Sequence, residues 1–378
     1  MNVYLDYNST TPVDMRVLEK MLPYFNEKFG NAASKTHRYG WQSEEAVKKS
    51  REQVASFLNA GETEIVFTSG STESINLAIK GVAEAYVSKG NHIVTIASEH
   101  KAVLDTCKHL EKQGKEITTV PVLKDGTIDL ALLSASVRKD TILVCVMMAN
   151  NETGVIQPIN NIADIVHEKS SLLFTDATQS GGKIRLDVNE LKADLLCISA
   201  HKMYGPKGTG CLFVRRKNPR VTLLAQIDGG GHEKNLRSGT LNVPGIVGLG
   251  EACELAEKNW WEESSRLSIL RTTLEQAFTI SCVASINGTI KNRLPNTSNL
   301  CFHGIKAEEL LHKMPEIALA TGSACSSALP EPSHVLLSMG LSDDDAYSSI
   351  RFSLGRFTTE DEIDYVIGKV KKLTNPDS

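Results

Sequence analysis

Between residues 64 and 215 the hydrophobic pattern repeats one unit: a short apolar run, a loop of small or polar residues, then a stretch of helical periodicity. The runs are Ile65-Val66-Phe67, His92 to Ile96, Ile142 to Met148, Leu172-Leu173-Phe174, Leu195 to Ile198 and Cys211 to Val214. Each is rich in β-formers and apolar at successive positions, so both faces of each strand are buried. That pattern predicts a mostly parallel sheet between two layers of helices, an α/β fold. In such sheets ligands gather at the carboxyl ends of the strands, which directs attention to the residues just after each run.

Past Pro244 the pattern changes. Residues 246 to about 278 carry helical periodicity, and short strands follow near Asn299 to Phe302 and Ile350 to Leu354. Thr359 and Glu362 have the spacing of a capping box and predict the start of a final helix. A chain of 378 residues exceeds the size at which one core stops growing. A large domain over residues 15–245 and a smaller α/β domain built from 1–14 and 246–378 are therefore expected.

Hydrophobic residues at 41% and charged residues at 23% describe an ordinary globular chain and exclude a disordered or fibrous one. No segment approaches the ~20 apolar residues of a membrane span, and the first residues lack a basic stretch followed by an apolar run, so a cytoplasmic setting without membrane contact is expected. The closest two of the eight cysteines, Cys197 and Cys211, are 14 positions apart, which leaves no CxxC knuckle or compact disulfide framework. A net charge of −4 gives no general attraction to nucleic acid. Arg215, Arg216, Lys217 and Arg220 form one local basic cluster, either a solvated loop or a docking patch.

Two places carry chemistry. After the first run comes Ser69-Gly70-Ser71-Thr72-Glu73 and a helical stretch from Ser74 to Tyr86, an arrangement that suits either a phosphate at a helix N-terminus or a plain helix cap. Later, Asp176 ends one run and Lys202 follows another. Separately these read as a turn cap and a surface lysine. Together, in this order and flanked by small residues, they fit a pyridoxal cofactor, which needs an amine to carry it and a carboxylate to keep its pyridine nitrogen protonated.

The segments Thr175-Asp176-Ala177-Thr178-Gln179-Ser180, Ser199-Ala200-His201-Lys202, Gly229-Gly230-Gly231-His232-Glu233, Arg237-Ser238-Gly239-Thr240 and Gly322-Ser323-Ala324-Cys325-Ser326-Ser327 closely resemble cysteine desulfurases of the iron–sulfur-cluster type. The likeness runs from Leu5-Asp6-Tyr7 to residue 360. It implies the type I fold of pyridoxal-phosphate transferases and conversion of L-cysteine to L-alanine, with the sulfur held as a persulfide on Cys325.

The resemblance further implies that Lys202 carries the cofactor, Asp176 pairs with its ring nitrogen, Gln179 meets its phenolic oxygen and His100 stacks on its ring and helps move protons. Ser71, Thr72, Ser199 and His201 would hold the phosphate, joined by Thr240 from the partner subunit of a homodimer. Asn151 and Arg351 would grip the substrate carboxylate, with Asn8 assisting. Asn151 would also border the cofactor. No metal is implied.

Cys325 sits in a run of small residues with little to pack, so a mobile loop is expected there, suited to collecting sulfur and handing it to an acceptor protein. Cys107, close in sequence to His100, is the alternative thiol. A selenocysteine lyase or another pyridoxal-phosphate enzyme would share the fold, and an aminotransferase would not need the thiol. A dehydrogenase is excluded because no G-x-G-x-x-G follows the first run. The acceptor, whether for iron–sulfur assembly, tRNA thiolation or DNA phosphorothioation, is not specified by these motifs. Because family members usually carry a longer tail that docks a scaffold, a chain ending at Ser378 leads us to expect weak scaffold binding.

Overall fold

The structure is a computed structural model that describes residues 1–280, 283–321 and 331–374. Its centre is a seven-stranded sheet. Taken across the sheet, the strands run Ile65–Thr68, Gly210–Val214, Leu195–Ser199, Leu172–Asp176, Thr141–Cys145, His92–Ile96 and Glu116–Val120. Gly210–Val214 pairs antiparallel with both of its neighbours, and the remaining pairings are parallel. Six strands follow the apolar runs and are buried along their whole length. The seventh, Glu116–Val120, is largely exposed or half-buried, so it lacks the two-faced apolar signature that the other edge strand, Ile65–Thr68, retains.

Helices cover both faces. On one, Ser71–Ala85 and Lys101–Lys112 pack over a core that includes Val66, Ile75, Ile79, Val103, Phe174 and Leu212. On the other, Arg38–Leu58 packs along Val243–Thr279 above a core that includes Val54, Phe67, Val144, Leu196, Phe213 and Leu249. The helix after Gly70 begins at Ser71, three residues earlier than its apolar periodicity suggests. Gly70 takes φ 149°, a conformation that L side chains rarely adopt, and turns the chain directly from the strand into the helix.

A smaller sheet of three antiparallel strands, Ser349–Ser353, Thr297–Cys301 and Ser285–Ile286, supports a second core. That core holds Val3, Leu5, Leu274, Phe278, Phe302, Phe352, Ile363 and Val366. The 37-residue helix Val243–Thr279 serves both cores: Ile246, Leu249 and Cys253 face the first, Leu267 to Phe278 the second. Its first half being flanked by buried glycines, Gly248 and Gly250, lets it lie close to Met21, Pro206 and Ser50; a Cβ at either would clash. The last helix, Glu360–Thr374, starts with the expected reciprocal cap, Thr359 N–H to Glu362 Oε2 at 2.9 Å and Glu362 N–H to Thr359 Oγ1 at 3.2 Å.

Two of the quoted sequence segments serve the fold. Glu233 accepts two hydrogen bonds from Arg51 and one from Phe67 N–H, tying the glycine-rich loop to a helix and the edge strand. In the basic cluster, Arg215 is spent on the carbonyls of Val188 and Ala193 and stacks near Phe213, so it is part of the framework.

Candidate active site

The carboxyl ends of the strands open into a cavity of about 610 Å³. Asn8, Ser71, Thr72, His100, Asn151, Asp176, Gln179, Ser199, His201, Lys202 and Arg351 all line it. Of the residues singled out from the sequence, Thr240 is exposed and outside this lining. Cys325 lies outside the described residues.

One end of the cavity is built for an anion. The first amides of the helix Ser71–Ala85 have no intrahelical acceptor and face outward with the positive end of the helix dipole. Ser71 and Ser199 bring hydroxyls. His201, its Nδ1 3.2 Å from Thr10 Oγ1, is pushed down to about 4 by burial and by the neighbouring lysine charges, so at neutral pH it is an uncharged hydrogen-bonding group. Gly210 passes so close to Gly70 that a Cβ there would sit 2.8 Å from Gly70 Cα, and the cradle closes only because both are glycines.

Asp176, the last residue of its strand, is buried. It caps its own turn, accepting from Thr178 N–H at 2.9 Å and from the Thr178 hydroxyl, and it receives the Cys197 thiol at 3.4 Å. The turn-cap role and the cavity position coexist. Thr178 also meets Ser71 Oγ at 2.5 Å and thereby links the anion end to Asp176. Thr178 is a site residue not singled out from the sequence, although its hydroxyl two residues after an aspartate is the usual signature of such a turn.

Lys202 follows the strand Leu195–Ser199 in a single turn of 3-10 helix. Its Nζ donates to the carbonyls of Asn8 at 2.6 Å and Ser9 at 2.7 Å. Burial and then the charge of Arg351 lower this amine to about 8, which leaves a usable neutral fraction near physiological pH. A second buried amine, Lys183, is lowered by burial to about 7 and donates to the Gln179 carbonyl at 2.9 Å. Gln179 Nε2 in turn donates to the Asn8 carbonyl at 2.9 Å.

His100 caps the helix Lys101–Lys112, its Nδ1 accepting the Ala102 N–H at 3.1 Å. That bond fixes the tautomer: in the neutral ring the proton resides on Nε2. Burial lowers the ring's basicity, and Lys202 acts in the same direction while Asp176 opposes. Arg351 is held by Asp6 at 2.7 Å, Ser9 Oγ at 2.8 Å and the Asn151 carbonyl at 3.0 Å. Its Nε is a buried donor without a partner among the described residues, a position an incoming carboxylate would satisfy.

Asn8 lines the cavity and is heavily bonded. Its side chain is consumed by Asn151 O, Thr297 Oγ1 and Asn296 Nδ2, so it acts as a strut whose carbonyl receives Lys202 and Gln179.

Two buried carboxyls that the sequence did not mark stand behind this lining. Glu99 accepts the Met147 N–H, and burial with the charge of Asp176 raises it well above the carboxylate range; its Oε2 has no partner among the described residues. Glu152, next to Asn151, receives the Ser333 hydroxyl and is pushed up by burial to about 7. His334 Nε2 meets the Glu99 carbonyl at 2.9 Å, so residues 333 and 334 are fixed to the loops bearing His100 and Asn151. Between about pH 4.5 and 7 the native chain holds the Glu152 proton while the unfolded chain has released it, so stability falls as pH rises through that window, by roughly 3 kcal/mol. In Glu152→Gln that part of the fall disappears. Urea midpoints of both proteins at pH 5 and pH 8 measure it, and equal falls in the two would exclude the assignment.

The family model for class-V aminotransferases matches residues 3–366. The chain is 54% identical over 376 residues to the cysteine desulfurase IscS of Anaeromyxobacter sp. (strain Fw109-5), covering 98% of this chain and 93% of that one. Among solved structures it is similar to a NifS-like protein, with a TM-score of 0.92, 39% identity and 99% of each chain covered. It is also similar to SspA in complex with cysteine, with a TM-score of 0.82, 36% identity, and 94% of this chain and 100% of that one covered.

Proposed function

Since this chain belongs to the class-V aminotransferases, and among them is a pyridoxal-phosphate-dependent cysteine desulfurase, we infer that its chemistry is carried by Lys202, Asp176, His100, Arg351 and Cys325. The observation that carries this reading is the convergence of the first four on one cavity, from segments spread between positions 100 and 351 of the chain. The residues present fit the cofactor. Ser71, Thr72, Ser199, His201 and the glycine cradle suit its phosphate, Asp176 its ring nitrogen, Gln179 its phenolic oxygen and Lys202 its aldehyde. Asn151 borders it on the remaining side. When bound, pyridoxal phosphate supplies an electron sink for the bonds around the substrate's α-carbon.

The protein's own groups do the rest. Arg351 orients the substrate through its carboxylate, with Asn151 beside it and Asn8 as a positioning residue that holds Asn151, Lys202 and Gln179 in register. Lys202 Nζ, lowered toward neutrality by its burial, takes the proton from the substrate's α-carbon. His100, with its proton on Nε2, serves proton return. Cys325 then attacks the substrate sulfur as a thiolate. An S–S bond forms, the C–S bond breaks with its electron pair left on carbon, and protonation of that carbon yields alanine while the sulfane sulfur stays on the protein. Support for a dedicated thiol comes from the others: among the described residues no cysteine lines the cavity, and burial pushes Cys211 up to about 12 and also raises Cys145, Cys197 and Cys253 well above the usual thiol range.

We further propose a cytoplasmic homodimer that hands its sulfur to an acceptor protein. Thr240 supports the dimer: it is exposed, lies outside its own chain's cavity, and follows Arg237, whose pairing with Glu73 at 2.8 Å brings the segment beside the phosphate-end helix. Among the described residues no helix is long and apolar enough to cross a membrane.

Asp176→Asn tests the reading directly. The amide keeps the shape and the bond from Thr178 but cannot balance a protonated ring nitrogen. We expect the cofactor to be retained and turnover of L-cysteine to fall about 10- to 100-fold, the equivalent of one charge-assisted hydrogen bond of roughly 1.5–3 kcal/mol. Alanine production within twofold of the parent would remove Asp176 from the role.

A further inference from the structure

Cys301, His303 and Asp345 converge at one end of the three-stranded sheet, away from the cavity. Cys301 ends the strand Thr297–Cys301, His303 stands in the turn that follows, and Asp345 belongs to the helix Asp343–Tyr347, which leads into the strand Ser349–Ser353. The register explains the meeting: Cys301 pairs with Ser349 on one side and with Ser285 on the other.

Cys301 Sγ lies 3.6 Å from His303 Nδ1 and 3.6 Å from Asp345 Oδ1, and His303 Nδ1 lies 3.3 Å from Asp345 Oδ1. A tetrahedral zinc ion with bonds of about 2.3 Å to sulfur and about 2.1 Å to nitrogen and oxygen separates its ligands by about 3.6 Å (S to N or O) and about 3.4 Å (N to O). The three observed separations reproduce that triangle. We propose that Cys301, His303 and Asp345 form a binding site for a divalent transition metal, zinc by preference, with a fourth position open to solvent or to a ligand from outside.

The surroundings are those of a metal site. The other His303 nitrogen, Nε2, meets Ser285 Oγ at 2.9 Å, and the second Asp345 oxygen accepts from Ser342 Oγ at 2.9 Å. Ligating histidines and carboxylates are held in this way by partners on their far atoms. The alternative of a Cys-His-Asp catalytic relay does not fit, because the thiol and the carboxylate share the same ring nitrogen when a relay needs one on each. Asp343 and Asp344 add negative potential, of which Lys306 offsets one charge by pairing with Asp344 at 2.7 Å. Cys301 is buried, while the side chains of His303 and Asp345 are 57% and 44% exposed, which leaves one face accessible. A thiolate in the set selects a borderline metal over calcium or magnesium. On binding, the thiol proton leaves to solvent and the sulfur becomes the anionic ligand.

The test uses the full-length holoenzyme, stripped with a chelator and titrated with zinc against a chromophoric competitor, and with cobalt(II) as an optical probe. We expect one equivalent per chain with a Kd below about 1 µM, and a thiolate-to-cobalt charge-transfer band. Cys301→Ser abolishes the band. His303→Ala, an exposed position, weakens binding at least 100-fold while leaving desulfurase turnover intact, which reports a sound fold. Ser285→Ala weakens it by about 10- to 100-fold. Cys325→Ser leaves the titration unchanged. No stoichiometric binding, binding that survives both Cys301→Ser and His303→Ala, or a band lost only with Cys325 would each overturn the proposal.

Discussion

Lys202→Ala abolishes conversion of L-cysteine and leaves no cofactor attached to the chain after borohydride treatment. In the proposed function the side chain has two tasks, carrying the cofactor and moving the substrate's α-proton, and its setting suits both. Burial against Arg351 brings the amine to about 8, and the carbonyls of Asn8 and Ser9 aim it. The other buried amine nearby, Lys183, donates to Gln179 at 2.9 Å and is not among the residues lining the cavity, so it does not substitute. Loss of a positioned general base alone costs up to about four decades in rate, and loss of the covalent anchor adds to that. The anion cradle is untouched in this variant, so the cofactor binds reversibly. Absorbance of the dialysed variant with and without added pyridoxal phosphate, together with alanine release, measures the effect. A borohydride-fixed cofactor in the variant would assign the amine elsewhere.

Cys325→Ser separates the two halves of the reaction. A serine hydroxyl neither ionises near neutral pH nor retains a sulfane sulfur, so alanine and protein-bound sulfur both fail to form. Lys202, Asp176 and the phosphate end remain, and added L-cysteine still changes the visible spectrum of the bound cofactor. The expected loss is complete, because no described cysteine borders the cavity; Cys107, the nearest in sequence to His100, is buried and outside its lining. Alanine released at more than a trace would mean that another thiol does the work. A spectrum unmoved by cysteine would show that Cys325 is needed for binding as well.

Much of this was readable from residue order. The central strands declared themselves because burial on two faces writes uninterrupted apolar runs, whereas Glu116–Val120, mostly half-buried or exposed, left Glu-Ile-Thr-Thr-Val and no such mark. The cavity residues were legible because short motifs keep Asp176 at a strand end and Lys202 and His100 a few residues past one. Glu99, Glu152 and Lys183 were not, since nothing local tells a buried charge from a solvated one. Glu152 is defined by Ser333, 181 positions away. Asn8 was expected to assist at the substrate carboxylate, and its bonds to Asn296 and Thr297, 288 and 289 positions on, were not legible. The Cys301 cluster escaped for the same reason: Cys-x-His alone is commonplace, and Asp345 joins it from 44 residues downstream.

The bonds that aim Lys202 and Arg351 come from the beginning of the chain, while Arg351 and Ser353 lie near its end: Asp6 grips Arg351 and Asn8 N–H meets Ser353 Oγ, each across 345 positions. During synthesis at about 5–20 residues per second, the first segment waits on the order of half a minute for its partners. The central sheet can form in that interval, since its strands end at Val214. The guanidinium acquires its final bearing only when the last strand emerges from the ribosome, whereas Lys202 meets the carbonyls of Asn8 and Ser9 on a segment that Thr11 and Asp14 tie to His201 and Tyr204. A nascent chain thus has a sheet, and the lysine beside it, before it has the guanidinium that completes the centre.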